Sequence, residues 1–199
     1  YLAIAFLNAS VDLAHKITIQ NVLLKTYDGD ILFILTAVIN AMILLPFIFL
    51  FSPSSFINDK FSKTKVIRIC AIFGLVISVA VLFSYLAGAF GVAFALTLIL
   101  AAQSAIYSPA KYGIIKALVG PERLGTANGI IQALTIVAIL FSSFLFSFIF
   151  ENLYIQGGNS EEILKSVYPI GIFLVIFSAL EAYFAYKLPC IDEKDETSE

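Results

Sequence analysis

The chain contains no tryptophan, one histidine, two cysteines and one methionine, and only 13% of its residues are charged. Each scarcity removes a class of function. A single histidine, His15, leaves no Ser/His/Asp or Cys/His set to assemble, and no cluster with metal-ligand spacing accompanies it. Alone, it reads as a satisfied polar residue rather than a proton relay. Cys70 and Cys190 lie far apart and fit no disulfide or metal pattern, so they read as structural thiols. No glycine-rich phosphate loop is present, so ATP is not expected to drive this chain directly. No carbonyl-filter or charged-ring pattern suggests a channel. The formal net charge is −2, and no basic field suggests a nucleic-acid partner. No cofactor and no metal are expected.

What remains is apolar. Of the 199 residues, 60% are hydrophobic, and the mean hydropathy is +0.97. Soluble domains hold about 45–50% apolar residues, so the excess points to a polytopic membrane protein. A membrane span needs about twenty mostly apolar residues. Six runs qualify: the start to Leu24, Ile31 to Phe51, Val66 to Leu86, Phe90 to Tyr107, Ala127 to Phe150 and Val167 to Lys187. The expected fold is all-α, a six-helix membrane bundle over residues 1–190. Residues 191–199 read as the start of a polar linker. The chain begins at Tyr1, already inside an apolar run. It reads as a piece trimmed at its start, without the basic leader and small-residue cleavage site of a signal peptide.

Charge placement sets the orientation. Lys60, Lys63, Lys65 and Arg68 fall between the second and third spans. Lys111, Lys116 and Arg123 fall between the fourth and fifth, and Lys187 closes the sixth. The opposite side has Lys25 and Lys165 among Asp28, Asp30, Glu161 and Glu162. Lys and Arg accumulate on the cytoplasmic side, so the first group of loops, and both ends of the unit, are expected there.

Polar residues inside apolar runs are the candidates for function. A charge at mid-membrane costs about 2.5–3.5 kcal/mol on insertion scales and persists where it faces a cavity or a partner. In the first span Asn8, Asp12, His15 and Lys16 recur at helical spacing on one face. Either Asp12 lines a transport path, or it is neutralised by Lys16 one turn on in a structural pair. Gln103, Ser104 and Tyr107 form a polar patch late in the fourth span, and Asn128, Gln132 and Thr135 form a stripe on the fifth. These read as cavity wall or as interhelical hydrogen bonds, each worth about 0.6 kcal/mol. Glu181 is a second intramembrane acid, expected to meet a base from a neighbouring helix. The phenylalanine clusters, such as Phe141 to Phe150, read as lipid-facing or as helix contacts.

Three motifs carry a resemblance. Ser108-Pro109-Ala110-Lys111-Tyr112-Gly113 is followed by Glu122-Arg123-Leu124 and by Ala127-Asn128-Gly129. This stretch reads as a basic loop between two spans, with Pro109 ending or kinking the fourth. Lys111 then sits at the helix mouth, as a partner for an anionic phosphate or as a snorkelling lysine. The stretch resembles the loop between the fourth and fifth helices of lysophospholipid transporters, a branch of the major facilitator superfamily. Ser55 to Lys65 is similar to that superfamily's loop motif, Gly-x-x-x-Asp-(Arg/Lys)-x-Gly-(Arg/Lys)-(Arg/Lys). Asp59, Lys60 and Lys63 match it, while Ser55 and Ser62 replace the glycines and Thr64 replaces a base. Phe6 to Asp12 resembles the branch's aromatic-rich first helix, with Leu13 where the branch has Asn.

The resemblance implies the N-terminal six-helix half of a carrier built as a three-plus-three inverted repeat, which in sequence shows only faintly. It implies a bacterial inner-membrane protein, not itself an enzyme, that moves lysophospholipid by alternating access together with a C-terminal six-helix half. Asp12, Lys16, Lys111, Asn128, Gln132, Gln103 and Glu181 become its candidate substrate or coupling residues. Asp59, Lys60 and Lys63 become its gating loop. Two alternatives stay open: the membrane module of a fused acyltransferase and acyl-carrier-protein ligase, and a facilitator for another small solute.

Overall fold

The computed structural model describes residues 1–189. Cys190 and the acidic segment read as a linker lie outside the described residues. Among these, all regular structure is helical, and six helices are long and apolar enough to cross a membrane. Hydrocarbon offers no hydrogen bonds to a backbone, so each crossing segment must satisfy its own N–H and C=O groups, which a helix does.

The spans are α1 (Leu2–Thr26), α2 (Gly29–Phe49), α4 (Lys63–Ala87), α5 (Phe90–Val119), α6 (Leu124–Leu153) and α8 (Tyr168–Lys187). Two short helices lie outside them, α3 (Phe51–Lys60) and α7 (Ser160–Ser166), and one 3₁₀ turn, Pro121–Arg123, leads into α6. Six crossings were expected and six are found. Their ends differ in instructive ways.

The fourth crossing does not end at Pro109. Helix α5 runs through that proline and on for ten further residues. The Ser108–Gly113 stretch is therefore helix, and the connection to α6 shrinks to Gly120 and the 3₁₀ turn. Proline removes one backbone donor and crowds the preceding turn. Here the cost is outweighed by packing, because Ala110 and Ile114 bury themselves against Val66, Ile67 and Cys70 of α4. Proline does interrupt the chain elsewhere. Pro53, in the first turn of α3, has no N–H to offer the carbonyl of Phe49, and the helical path breaks at Leu50 between α2 and α3.

The basic residues between the second and third spans are likewise mostly helical. Lys60 ends α3, and Lys63, Lys65 and Arg68 belong to α4, so the connection is Phe61 and Ser62. Arg68 closes the end of α8. Its guanidinium donates to the carbonyls of Ala185 (3.2 Å), Tyr186 (3.2 Å) and Leu188 (2.6 Å). The last carbonyls of a helix have no internal partner, and a cation there also suits the helix dipole. At the opposite end, α4 stops at Gly88, whose φ of +69° places it in the left-handed region. Asn159 and Glu162 form a reciprocal capping box that starts α7.

The chain direction gathers the charges. One end of the bundle holds Tyr1, α3, the start of α4, the end of α5 and the end of α8, and is basic. The other holds the α1–α2 and α4–α5 turns and α7, and carries five of the nine acids among the described residues. There Lys25 pairs with Glu151 at 2.8 Å and lies over the Tyr154 ring.

The interior is two apolar clusters with a polar layer between them. One, toward the acidic end, is built around Val11, Ile19, Ile77, Tyr85, Phe146 and Phe150. The other, toward the basic end, is built around Ile4, Ile67, Tyr107, Ala110, Ile114 and Ala185. Helices α4 and α8 approach closely where Gly171 meets Leu82, and Ser78 and Ser178 share a 2.7 Å hydrogen bond across the same seam. Helices α1 and α5 are the most buried spans and α2 and α6 the least.

Candidate functional site

A cavity of about 300 Å³ opens in the polar layer, walled by α1, α2, α5 and α6. The sequence supplies its two faces differently. Helix α1 contributes Asn8, Asp12 and Lys16, spaced one turn apart, and α5 contributes Thr97, Ser104, Ser108 and Lys111 at near-helical intervals. Helix α6 adds Thr135. Apart from the Tyr107 hydroxyl, the remaining wall is apolar: Ala9 and Leu13 of α1, Ile43 and Phe47 of α2, Leu100 and Ala101 of α5, and Ile139 of α6.

Asp12 is held from across the bundle, not by its neighbour on the same helix. Ser104 Oγ donates to Asp12 Oδ2 at 2.5 Å, while Asp12 Oδ1 is shielded and has no hydrogen-bond partner among the described residues. The intrahelical pair with Lys16, the structural alternative, is not formed. Both side chains line the cavity, and the carboxyl group has turned toward α5.

Lys111 is the second surprise. On a helix that continues past Pro109, it no longer sits at a mouth. It is only 6% exposed, which excludes a snorkelling side chain. Its ammonium reaches Thr135 Oγ1 at 3.5 Å, lies 5.6 Å from the centre of the Tyr112 ring, and faces Asp12 and Glu181 electrostatically. Its backbone carbonyl accepts from the Tyr1 hydroxyl, which ties the first residue of the chain to α5. Glu181 on α8 is 2% exposed and is not part of the cavity wall. It lies beside Asn8 of the cavity wall, and its Oε1 is without a partner among the described residues. Two lysines, Lys16 and Lys111, and two carboxyl groups thus share the polar layer. No ion pair joins Glu181 to a base among the described residues; the ammonium that acts on it electrostatically is that of Lys111.

The other candidates are dispersed. Gln103 points away from the cavity and donates to the Cys70 carbonyl of α4 at 3.1 Å, an interhelical tie. Its neighbour Ser104 faces the cavity, since adjacent helix residues diverge by about 100°. Asn128 is half-buried with a shielded, unpartnered Oδ1. Gln132 is exposed on the surface of α6. Neither lines the cavity, though Thr135 of the same stripe does. His15 is fully buried with both ring nitrogens engaged: Nδ1 with the Tyr85 hydroxyl at 2.9 Å, and Nε2 with the Ala93 carbonyl at 3.1 Å and Thr97 Oγ1 at 3.2 Å. A carbonyl only accepts, so Nε2 carries the proton and Nδ1 accepts from Tyr85. This is the satisfied polar residue expected of it.

At the basic end, Asp59 and Lys60 are exposed at the close of α3, and the Lys60 ammonium stands 5.8 Å from the rings of Phe56 and Phe61. The Lys63 stem lies against Gly113, where an added Cβ would come within 2.6 Å of its Cε. Asn58 donates to the Ile106 carbonyl at 3.2 Å, in the turn ahead of Pro109. The two motifs quoted from the sequence, 50 residues apart, therefore pack on each other. Asn58 was not singled out in the sequence, and no local signal marks it. Neither were Ile43 and Phe47, which are indistinguishable there from lipid-facing residues.

Six apolar crossings, four of which wall a part-polar cavity holding a buried lysine and a carboxyl group, fit a membrane transporter. The family model of the Major Facilitator Superfamily matches residues 4–196, and the chain belongs to that family. Its fold is a six-helix half of a major facilitator, and it is a multi-pass membrane protein. No curated protein and no solved structure matched the chain.

Proposed function

We propose that the chain is the N-terminal half of a lysophospholipid carrier of the bacterial inner membrane. The observation that carries this reading is the place of Lys111. Of the two lysines that line the cavity, Lys16 and Lys111, the lysine of the motif that resembles lysophospholipid transporters is the buried one. An ammonium there is a point-charge partner for a phosphate, and the low dielectric around it strengthens the attraction.

The cavity's size and lining agree. At about 300 Å³ it stands at the low end of ligand pockets, which suits a headgroup rather than a whole lipid. Ile43, Phe47 and Ile139 offer an apolar flank along which an acyl chain can remain near hydrocarbon. Asp12 suits the ammonium of an ethanolamine headgroup or a hydroxyl of a glycerol headgroup, and Lys16 adds a second cation for the phosphate. The basic end lies in the cytoplasm by the positive-inside rule. Helices α2 and α6 meet a C-terminal bundle, and rocking of the two bundles alternates access. Asp59 is exposed beside the start of α4, where it is available to a base or helix terminus of the partner bundle and serves with Lys60 and Lys63 as the gate.

A second reading keeps the fold and changes the cargo. A cavity holding both a cation and a carboxyl group also fits a small zwitterionic solute. The superfamily is a transporter class, so the chain itself is not an enzyme. A fusion to acyltransferase and ligase domains rests on the resemblance alone. Uptake of labelled lysophosphatidylethanolamine into spheroplasts decides the cargo. Lys111→Ala is expected to abolish uptake while the protein still inserts. Uptake unchanged by both Lys111→Ala and Asp12→Ala removes the cavity from the mechanism, and competition by zwitterionic solutes but not by lysolipid selects the second reading.

A further inference from the structure

A second hollow lies on the other side of α5, and nothing in the carrier reading uses it. It also measures about 300 Å³ and is walled by α3, α4 and α5, with Ile57, Ile69, Cys70, Phe73 and Ile106 inside. Gln103 forms its floor and spends its amide on the Cys70 carbonyl. The hollow offers no free polar atom to water, and apolar cavities of this kind stay dry. Its lips are half or more exposed: Phe61 in the α3–α4 connection, and Ile69 and Phe73 on the outer surface of the membrane-crossing helix α4. Hydrocarbon is what lies against that surface.

The rim is not apolar. Lys65, in the first turn of α4, lines the mouth of the hollow and is exposed, and no hydrogen bond or ion pair engages its ammonium among the described residues. The Lys60 ammonium stands beside Phe61 of the same lip. Asp59 is the one acid of α3, and among the described residues the rim is net positive. At a rise of about 1.5 Å per residue, Cys70 and Phe73 lie about 7 and 12 Å deeper along α4 than Lys65. A cation at the helix end over a dry trough running inward matches the layout of one phospholipid, with phosphate at the interface and chain below.

We propose that this hollow is a resident site for an anionic phospholipid of the surrounding bilayer, distinct from the cargo cavity. One acyl chain fills the trough between α4 and α5, and the phosphate is held by Lys65 with Lys60 beside it. The site is placed to act on the gate. Its walls include α3 and Ile106, whose carbonyl is the one that Asn58 engages. A bound chain stiffens the contact between α3 and α5 while leaving the cargo cavity untouched.

The test uses the full protein in nanodiscs doped with phosphatidylglycerol or phosphatidylcholine that carries a photoactivatable diazirine in the acyl chain. Adducts are mapped by mass spectrometry. The expected result is labelling at Ile69, Cys70, Phe73 or Ile106 by the phosphatidylglycerol probe. It is expected to fall about fivefold in Lys65→Gln, the worth of one lysine at an anionic surface, and further in Lys65→Glu. Ile106→Trp is expected to block it by filling the trough. Equal labelling by both probes that Lys65→Glu leaves unchanged overturns the proposal, as does labelling confined to the cargo cavity around Ile43 and Ile139. Because Lys65 is exposed, its variants stay informative even where Ile106→Trp fails to fold.

Discussion

Ser104 on α5 donates to Asp12 on α1 at 2.5 Å, and this is the bond that turns the Asp12 carboxyl group across the bundle rather than along its own helix. Its removal strands a shielded group that already has one oxygen unpartnered. A buried polar group left unsatisfied costs about 1–3 kcal/mol. Ser104→Ala is therefore expected to lower thermal stability by that order and to cut uptake. In an Asp12→Ala background the same substitution should cost far less, because the partner is gone. Additive losses in that double-mutant cycle would show that the serine acts elsewhere.

Arg68 is expected to matter for stability and not for cargo. It satisfies the carbonyls of Ala185, Tyr186 and Leu188 and lies 5.6 Å from the centre of the Tyr186 ring. Arg68→Ala should lower the stability of the chain in nanodiscs by about 2 kcal/mol, the order of a charge-assisted hydrogen bond in a partly exposed site. Arg68→Lys should recover less than half of that, since an ammonium has no planar fork to span three carbonyls. Lysolipid affinity of the folded fraction should be unchanged in both.

The Arg68 cap also shows where reading the sequence stops. Its position near the start of a span made it look like one more positive charge in a loop, because the carbonyls it serves are 117 or more residues away. Asp12 was legible for the opposite reason: a charge inside an apolar run is anomalous wherever it occurs, and it had to face a cavity or a partner. Lys111 stood out by its motif and read as a helix-mouth residue, because the sequence places the end of its helix before it. The six crossings were legible because length and apolarity are all that the bilayer demands. Pro109 was misread as an end because the rule for proline describes a helix whose alternative is water. In lipid the broken turn has no better competitor, and Ala110 and Ile114 reward its continuation. Gln103 and Ser104 look alike in a row of letters, and only the rotation of α5 against α4 sends one to each side.

Two glycines near basic side chains should behave differently. Gly88 has a φ of +69°, and a Cβ there would stand 2.6 Å from Lys165 Cε and 3.0 Å from the Glu161 carbonyl oxygen. The left-handed conformation alone costs a non-glycine residue about 1–2 kcal/mol, and the Glu161 backbone cannot move aside. Gly88→Ala should destabilise by at least that much. Gly113 is helical and meets only the flexible Lys63 stem at 2.6 Å, and alanine is the better helix former by up to about 1 kcal/mol. Gly113→Ala should leave melting nearly unchanged while displacing Lys63, so its effect is expected in uptake kinetics. A loss of stability equal to that of Gly88→Ala would mean that Lys63 cannot yield.

The seam between α4 and α8 sets how rigidly the half moves as one body. Small residues let membrane helices approach until their backbones nearly touch, and Gly171 does this against Leu82, where an added Cβ would come within 3.1 Å of the Leu82 Cα. A backbone atom cannot rotate away, so Gly171→Ala should force the helices apart and cost about 1–3 kcal/mol, as overpacking does. Ser178→Ala removes the hydroxyl that meets Ser78 at 2.7 Å in the same seam and should cost only about 0.6 kcal/mol, the average for such bonds between membrane helices. The bond depends on the spacing that Gly171 sets. In the double variant the serine effect should therefore vanish, a coupling readable by thermal unfolding of the four proteins. Persistence of the full serine effect would mean that α8 pivots at Gly171 and stays seated at Ser178. The seam would then be a hinge rather than a single rigid contact.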